Sequence, residues 1–392
     1  MHGTRIFNGA IVVGAGAAGL AATHALIEAG IPVRLLEKEE RIGEPWRRRH
    51  HDLHLNTHRS LSRLPGVDYP AGTPAFPDKS VVVDHLDRFR SHHRLPIEFG
   101  VRIDEIAFAG SHWAIATNMG TRTAAHVVIA TGRDRTPYIP NWKGMAAFRG
   151  RVIHSADFGD AGDYANKKVL VVGAGNSGFD ALNHLAGVET SAIWLSARHG
   201  PTLLPKRILN IPVHLMSPYV ARLPVRLADA LLRATQRIAF GDLTRFNLPA
   251  ADAGGASRLA DDHVAIASDD GAVDAIKAGK IEVVPEIGQF TRDGVILANG
   301  ERVRPEIVIA ATGYRTGLEQ MVGGLGVLDA RGVPLFNGAD HDQRLPGLWF
   351  TGMRPSIRGC FANARLQARA IAAAIKADSR ASHGNTPMQA RA

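Results

Sequence analysis

The sequence predicts an α/β protein with two Rossmann-like dinucleotide-binding domains, the second inserted into the first. Three observations predict this. The stretch Ile11-Val12-Val13-Gly14-Ala15-Gly16-Ala17-Ala18-Gly19 recurs as Leu170-Val171-Val172-Gly173-Ala174-Gly175-Asn176-Ser177-Gly178. A second pair, Val127-Val128-Ile129-Ala130-Thr131-Gly132 and Ile307-Val308-Ile309-Ala310-Ala311-Thr312-Gly313, follows in the same order. The chain has 392 residues, enough for two or three domains at about 100–200 residues each. Such repetition marks a duplicated supersecondary unit.

The elements follow in order. Ile6 to Ile27 carries no charge and is long enough to pass for a membrane span or a secretory leader. Asn8, Gly9, Gly14, Gly16, Gly19 and His24 interrupt it, and its glycines have their own explanation. Each copy of the repeat is a β-branched run, a G-x-G-x-x-G turn and a helical stretch. The helices are expected over Ala17–Ala29 and Ser177–Leu185, each followed by a strand, Pro32–Glu37 and Ser191–Ser196. Polar hairpin segments at Ala109–Arg122 and Asp293–Arg302 precede the Val127 and Ile307 strands. Each half thus closes on its own Ala-Thr-Gly strand end. The expected domains are 1–150 and 306–377 for the first unit, and 160–305 for the second, with a lid-like insertion at 200–260. A last helix is expected near Cys360–Lys376, and residues 378–392 read as a loose tail.

In the turn, the first glycine allows the tight bend. The second lets a pyrophosphate approach the backbone, and the third lets helix and strand pack closely. Two copies in matching strand contexts point to two dinucleotides. The residue ending the second strand separates them. In the first copy it is Glu37, 23 residues past Gly14, where a carboxylate accepts the ribose hydroxyls of an adenosine. The equivalent position in the second copy is Ser196, with Arg198 two residues on. A serine and a guanidinium suit a 2′-phosphate that a carboxylate would repel. The first site therefore reads as FAD or NAD, the second as NADPH in preference to NADH. A flavin with a pyridine nucleotide implies hydride transfer.

Composition narrows the acceptor. Cys360 is the one cysteine, so there is no intramolecular disulfide, CxxC pair or four-cysteine zinc site. No protein dithiol can take the electrons, which leaves O2, a quinone or an external carrier. Lys+Arg 46 against Asp+Glu 37 gives a net charge of +9, suited to anionic ligands. The basic residues are scattered, where a nucleic-acid binder would concentrate them. The reading is a soluble cytoplasmic protein that takes a small-molecule substrate and no nucleic acid, with at most a peripheral membrane contact. The oligomeric state is open, with a homodimer as one option.

Between the loops lies Phe148-Arg149-Gly150-Arg151-Val152-Ile153-His154-Ser155-Ala156-Asp157-Phe158, a match to FxGxxxHxxx(F/Y). By this motif the chain resembles the flavin-containing monooxygenases (class B flavoprotein monooxygenases), and within them the short YUCCA-like branch. The resemblance includes Gly43-Glu44-Pro45-Trp46, Leu53-His54-Leu55, Leu204-Pro205-Lys206-Arg207, Ile281-Glu282-Val283-Val284-Pro285 and Ala311-Thr312-Gly313-Tyr314. Phe158 stands where the related Baeyer–Villiger enzymes usually carry tryptophan. The resemblance implies FAD in the first site, NADPH in the second, and O2 activated as a C4a-(hydro)peroxyflavin. It puts Asn56 on the flavin side as the candidate catalytic group, where plant YUCCA-like sequences generally carry proline. Trp46 and Arg47 are expected to wall the flavin, with Lys38, Leu55 and the backbone of Ile103 nearby. His154 is expected to join the domains without acting as a base.

His50, His51, His54 and His58 form a histidine-rich stretch, and His54 and His58 have metal-ligand spacing. No carboxylate or thiol completes a shell in the sequence, so no metal is expected. Val225–Phe240 is amphipathic: Arg222, Arg226, Arg233 and Arg237 lie opposite Leu227, Leu231, Leu232 and Ile238. A lid over the active site is the expected role, and a membrane contact the alternative. The function expected is NADPH- and O2-dependent oxygenation of a small organic substrate, N- or S-containing or an indole-pyruvate-like keto acid. An NADPH:acceptor flavin reductase and a non-catalytic flavoprotein are the alternatives.

Overall fold

A computed structural model describes residues 6–384, with side chains through Asp378. The apolar N-terminal stretch forms a central strand, Phe7–Val13, and the helix Ala17–Glu28. Parallel pairing puts Val33–Leu36 on one side of that strand and Arg122–Ile129 on the other. Ile97–Glu98 extends the sheet beyond Val33–Leu36. At the far side Arg122–Ile129 meets two partners: the antiparallel meander of Ile103–Phe108 and Trp113–Thr117, and the returning strand Leu348–Phe350. Alternation sorts this strand set. Ala10, Val12 and Val128 face one core with Leu20 and Leu26, while Ile11, Val13, Val127 and Ile129 face another with Phe350. A sheet buried on both faces explains the uninterrupted apolar runs.

The second sheet is wholly parallel, in the order 281–284, 192–196, 168–172, 307–310, 151–154. The repeat is reproduced in register. Val12 pairs with Val128 beside the first loop, and Val171 with Ile309 beside the second. Arg151–His154 and Ile307–Ala310 belong to this sheet, so it reaches beyond 160–305 at both ends. The Ala-Thr-Gly strand ends the second half, because it pairs with the loop-bearing strand. The two passages between the domains also pair, Thr136–Pro137 with Tyr314–Arg315.

The last helix runs Cys360–Gly384, past the expected end at Lys376 and into the expected tail. Phe361, Ala364, Ala368, Ile371, Ala372 and Ile375 form its buried stripe against the same core as Leu20 and Leu26. Residues 385–392 lie outside the described residues. Among the described residues no helix is long and apolar enough to cross a membrane. Val225–Phe240 is a helix with Pro224 as its N-cap, which leaves Arg222 outside it. Its Asp229 accepts from the amides of Ala256 (2.6 Å) and Ser257 (3.1 Å), and so caps the next helix, Gly255–Asp261.

Candidate functional site

Both glycine loops open onto one continuous cavity of about 1790 Å3 between the domains. A second cavity, about 540 Å3, lies against the second loop. In the first loop Gly14 sits at φ +99°, where a Cβ would come within 2.9 Å of the Ala130 carbonyl oxygen. A Cβ on Gly19 would lie 1.8 Å from the Gly14 oxygen, so this glycine sets the helix–strand approach. Gly16, by contrast, faces open space in the cavity. The second loop repeats each feature: Gly173 at φ +109° against Ala311, Gly178 against Gly173, and Gly175 open.

The helices behind the loops begin at Gly16 and Gly175 with no side-chain cap. A helix away from the cavity shows the alternative: Asp78 caps Lys79–His92 by accepting from the amides of Ser80 (2.8 Å) and Val81 (3.1 Å). An uncapped N-terminus presents free N–H groups and positive dipole to an anion.

The strand ends then diverge. Glu37 lines the main cavity. One of its oxygens accepts from the Ala15 amide at 2.6 Å and the other from the Glu39 amide at 3.0 Å. Ser196 is 2% exposed, and its hydroxyl donates to the Pro285 carbonyl at 2.9 Å. Ser196 nevertheless lines the second cavity, with its hydroxyl engaged by Pro285 in this state. Arg198 is exposed beside it and lines both cavities.

Of the other expected residues, Ala17, Ala18, Lys38, Trp46, Leu55, Asn56 and Ile103 line the main cavity. So do Ala130, Thr131, Gly132, Ser177, Ala311, Thr312, Gly313 and Tyr314. Ala174 lines the second cavity. Ala15 is buried behind the first loop. Arg47 corrects an expectation: its guanidinium turns to Asp87 at 2.6 Å and lines neither cavity. Arg49 takes the wall position instead. It lies over the Tyr314 ring, 4.9 Å from the centroid, and donates to the Tyr314 hydroxyl.

At the domain junction Asn56 donates from Nδ2 to Oδ1 of Asn176 at 3.1 Å. One amide comes from the flavin-side segment and the other from the second glycine loop. His154 is 1% exposed. Its Nδ1 accepts from the Ala156 amide (3.0 Å), so Nε2 carries the proton donated to the Gly313 carbonyl (2.9 Å). Burial lowers its pKa, which keeps this neutral form. Burial also raises the pKa of Tyr314, so its phenol stays protonated.

Sequence reasoning missed Arg49, Asp180, His214 and Arg354, which all line the cavity. Arg49 stood in a run of three arginines with nothing to single it out, and the others reach the site only through tertiary packing. His54 and His58 do not converge: His54 turns to the Asp52 carbonyl and His58 to Ser60. A carboxylate does meet a histidine elsewhere, because Asp180 and His184 converge on His50. That carboxylate comes from the second domain, where the sequence offered no sign of it.

Comparison with known proteins agrees with this layout. The family described as pyridine nucleotide-disulphide oxidoreductase matches residues 11–202, which include both glycine loops. An indole-3-pyruvate monooxygenase of Oryza sativa subsp. japonica, YUCCA1, is 31% identical over 330 residues, covering 82% of this chain and 80% of the relative. A solved flavin-containing monooxygenase from Stenotrophomonas maltophilia superposes with TM-score 0.71 at 22% identity, covering 94% of this chain and 99% of that one. The same fold serves a bacillithiol disulfide reductase from Staphylococcus aureus (TM-score 0.66, 16% identity, covering 95% of this chain and 99% of that one), so fold alone does not choose the chemistry. The match in sequence does: the chain belongs to the flavin-containing monooxygenase family, in its YUCCA-like branch, and is an NADPH-dependent flavin monooxygenase acting on a small organic substrate.

Proposed function

We propose that FAD occupies the Gly14–Gly19 loop, that NADPH occupies the Gly173–Gly178 loop, and that the substrate is an aromatic 2-oxo acid of the indole-3-pyruvate class. The observation that carries this reading is the single cavity running from the first loop, past the Asn56–Asn176 contact, to the apolar walls of the 200–260 insertion. The residues present fit both dinucleotides. Gly16 and Gly175 leave open cradles at uncapped helix starts. The Thr131 hydroxyl beside the first loop is buried without a partner among the described residues. Glu37 supplies the acid for a ribose, and Arg198 the cation for a 2′-phosphate.

The bound flavin, reduced by hydride from NADPH, supplies the oxygen activation. The chain's own residues orient and enclose. Asn56 and Asn176 join the two domains on the cavity wall, and each amide keeps hydrogen-bonding capacity for a ligand. His154, neutral and bonded on both nitrogens, fixes Gly313 and moves no proton. Ile208, Ile211, Met216 and Leu231 line the cavity with apolar surface for an aromatic group, and Arg49 and Arg354 line the same cavity as cations for a carboxylate.

The test is a product screen under 18O2 with indole-3-pyruvate, a thioether, a tertiary amine and a cyclic ketone. The proposal expects one labelled oxygen atom in the shortened carboxylic acid formed from the keto acid with release of CO2, the other leaving as water. NADPH oxidation that yields only hydrogen peroxide with every compound would support the acceptor-reductase reading instead.

A further inference from the structure

We propose that His50, Asp180 and His184 bind a divalent transition-metal ion, Zn2+ or one of similar ligand preference, across the junction of the two domains. Asp180 and His184 stand four residues apart on the helix Asn176–Leu185, so their side chains share one face. His50 reaches them from the segment after Trp46, in the other domain. Its Nε2 lies 2.9 Å from one Asp180 oxygen, and His184 Nε2 lies 3.9 Å from the other. One donor atom from each residue falls within 4.8 Å of the other two. Tetrahedral zinc–nitrogen and zinc–oxygen bonds of about 2.0–2.2 Å put donors about 3.3–3.6 Å apart, up to about 1.5 Å closer than the widest separation. Rotation of the partly exposed Asp180 and His184 side chains would supply that closure.

The donor set selects the ion. Two imidazoles and one carboxylate suit zinc, copper, nickel or ferrous iron, where magnesium and calcium prefer oxygen ligands alone. The His50 side chain is 5% exposed, and its Nδ1 is buried without a partner among the described residues. The free Nδ1 leaves the ring able to present either nitrogen to an ion, and a buried orphan calls for an explanation. The ring is held by edge contacts to Phe158 and His184, with centroids 5.4 and 4.9 Å away, so it can turn without breaking a second hydrogen bond. Asp52 adds negative charge facing His50 and His184. Lys206 is the cation facing His184, and Asp270 engages it at 3.0 Å. A bound ion would tie the flavin-side segment to the nicotinamide-side helix.

The experiment uses untagged full-length protein, stripped with EDTA, equilibrated with ZnCl2, passed through gel filtration and analysed by mass spectrometry for zinc. About one Zn2+ per chain is expected. His184→Ala and Asp180→Asn, both at partly exposed positions, are expected to weaken retention at least about tenfold. The exposed His92→Ala is expected to leave it unchanged. His50→Ala is expected to match the first two, and its failure to fold would not affect them. Co2+ substitution adds a second readout, visible d–d bands lost in the same variants. No retained zinc in the wild type, or retention reduced less than tenfold in both His184→Ala and Asp180→Asn, would overturn the proposal. Both outcomes are independent of flavin content and of turnover.

Discussion

The loops Gly14–Gly19 and Gly173–Gly178 share a backbone and differ in what stands at its rim. In both, the first glycine takes a positive φ against an alanine carbonyl, the third seats the helix, and the second leaves a cradle. At the rim, Glu37 turns a carboxylate onto the first loop, while Ser196 turns its hydroxyl inward and leaves Arg198 facing outward. On the proposed assignment, the shared part would serve the phosphate pair common to any dinucleotide and the divergent part would distinguish one adenosine from the other. Backbone duplication would then set how many nucleotides bind, and single side chains which ones.

The comparison breaks most visibly at the glycines. Gly14→Val is expected to give colourless protein, and Gly173→Val to stay yellow but resist reduction by NADPH, read by absorbance under anaerobic conditions. The reverse pattern would mean that the two sites are swapped. Arg198→Ala comes next. Loss of a charge-assisted contact worth about 1.5–3 kcal/mol should raise the NADPH KM roughly ten- to a hundredfold, with the NADH KM nearly unchanged. Ser196→Ala sharpens the point, because an inward hydroxyl predicts less than about a threefold effect on either KM. Equal effects of Arg198→Ala on both nucleotides would defeat the phosphate assignment.

Stability should fall at mildly acidic pH, because histidines in both domains, among them His85 and His214, have pKa values lowered by burial. His85, in the first domain, is fully buried, accepts from the Leu64 amide at 2.9 Å, and has its pKa lowered by burial to about 4. Unfolding releases it to an ordinary value near 6.5, so below that pH the unfolded chain binds the extra proton. Its contribution is intact above about pH 6.5 and is lost as the pH falls toward 4. Between about pH 7.5 and 5.5 the share of the loss that His85 carries should be about 1 kcal/mol in denaturant titrations. His85→Gln keeps an acceptor for Leu64 and should flatten that slope, while an unchanged slope would contradict it. The smallest effect is expected at the junction. Asn56→Ala removes one neutral hydrogen bond, about 1 kcal/mol, and should slow flavin reduction roughly fivefold without changing flavin content.

Much of the fold was legible because glycines and apolar alternation encode it locally. The paired loops, both Ala-Thr-Gly strands and the inserted order could be read from the residues. The second domain's limits were drawn too narrowly because Arg151–His154 is a four-residue edge strand with no periodicity of its own. The final helix was cut short because its apolar stripe ends at Ile375 while its backbone continues. At the site, residues fixed by backbone need were found, and those fixed by side-chain direction were not. Arg47 and Arg49 look alike in sequence, yet one pairs with Asp87 and the other with Tyr314. Ser196 stands at the strand end and on the second cavity as expected, but its contact to Pro285, 89 residues away, could not be read locally. The 200–260 insertion gave little because it is built from two- and three-residue strands and short helical turns around one longer helix.

The most direct measurement is a crystal structure of the flavin-loaded protein soaked with NADPH. The account predicts flavin diphosphate on the Gly14–Gly19 loop with its ribose at Glu37, and the nicotinamide diphosphate on Gly173–Gly178 with its 2′-phosphate against Arg198. A 2′-phosphate found elsewhere, or flavin seated on the second loop, would contradict it.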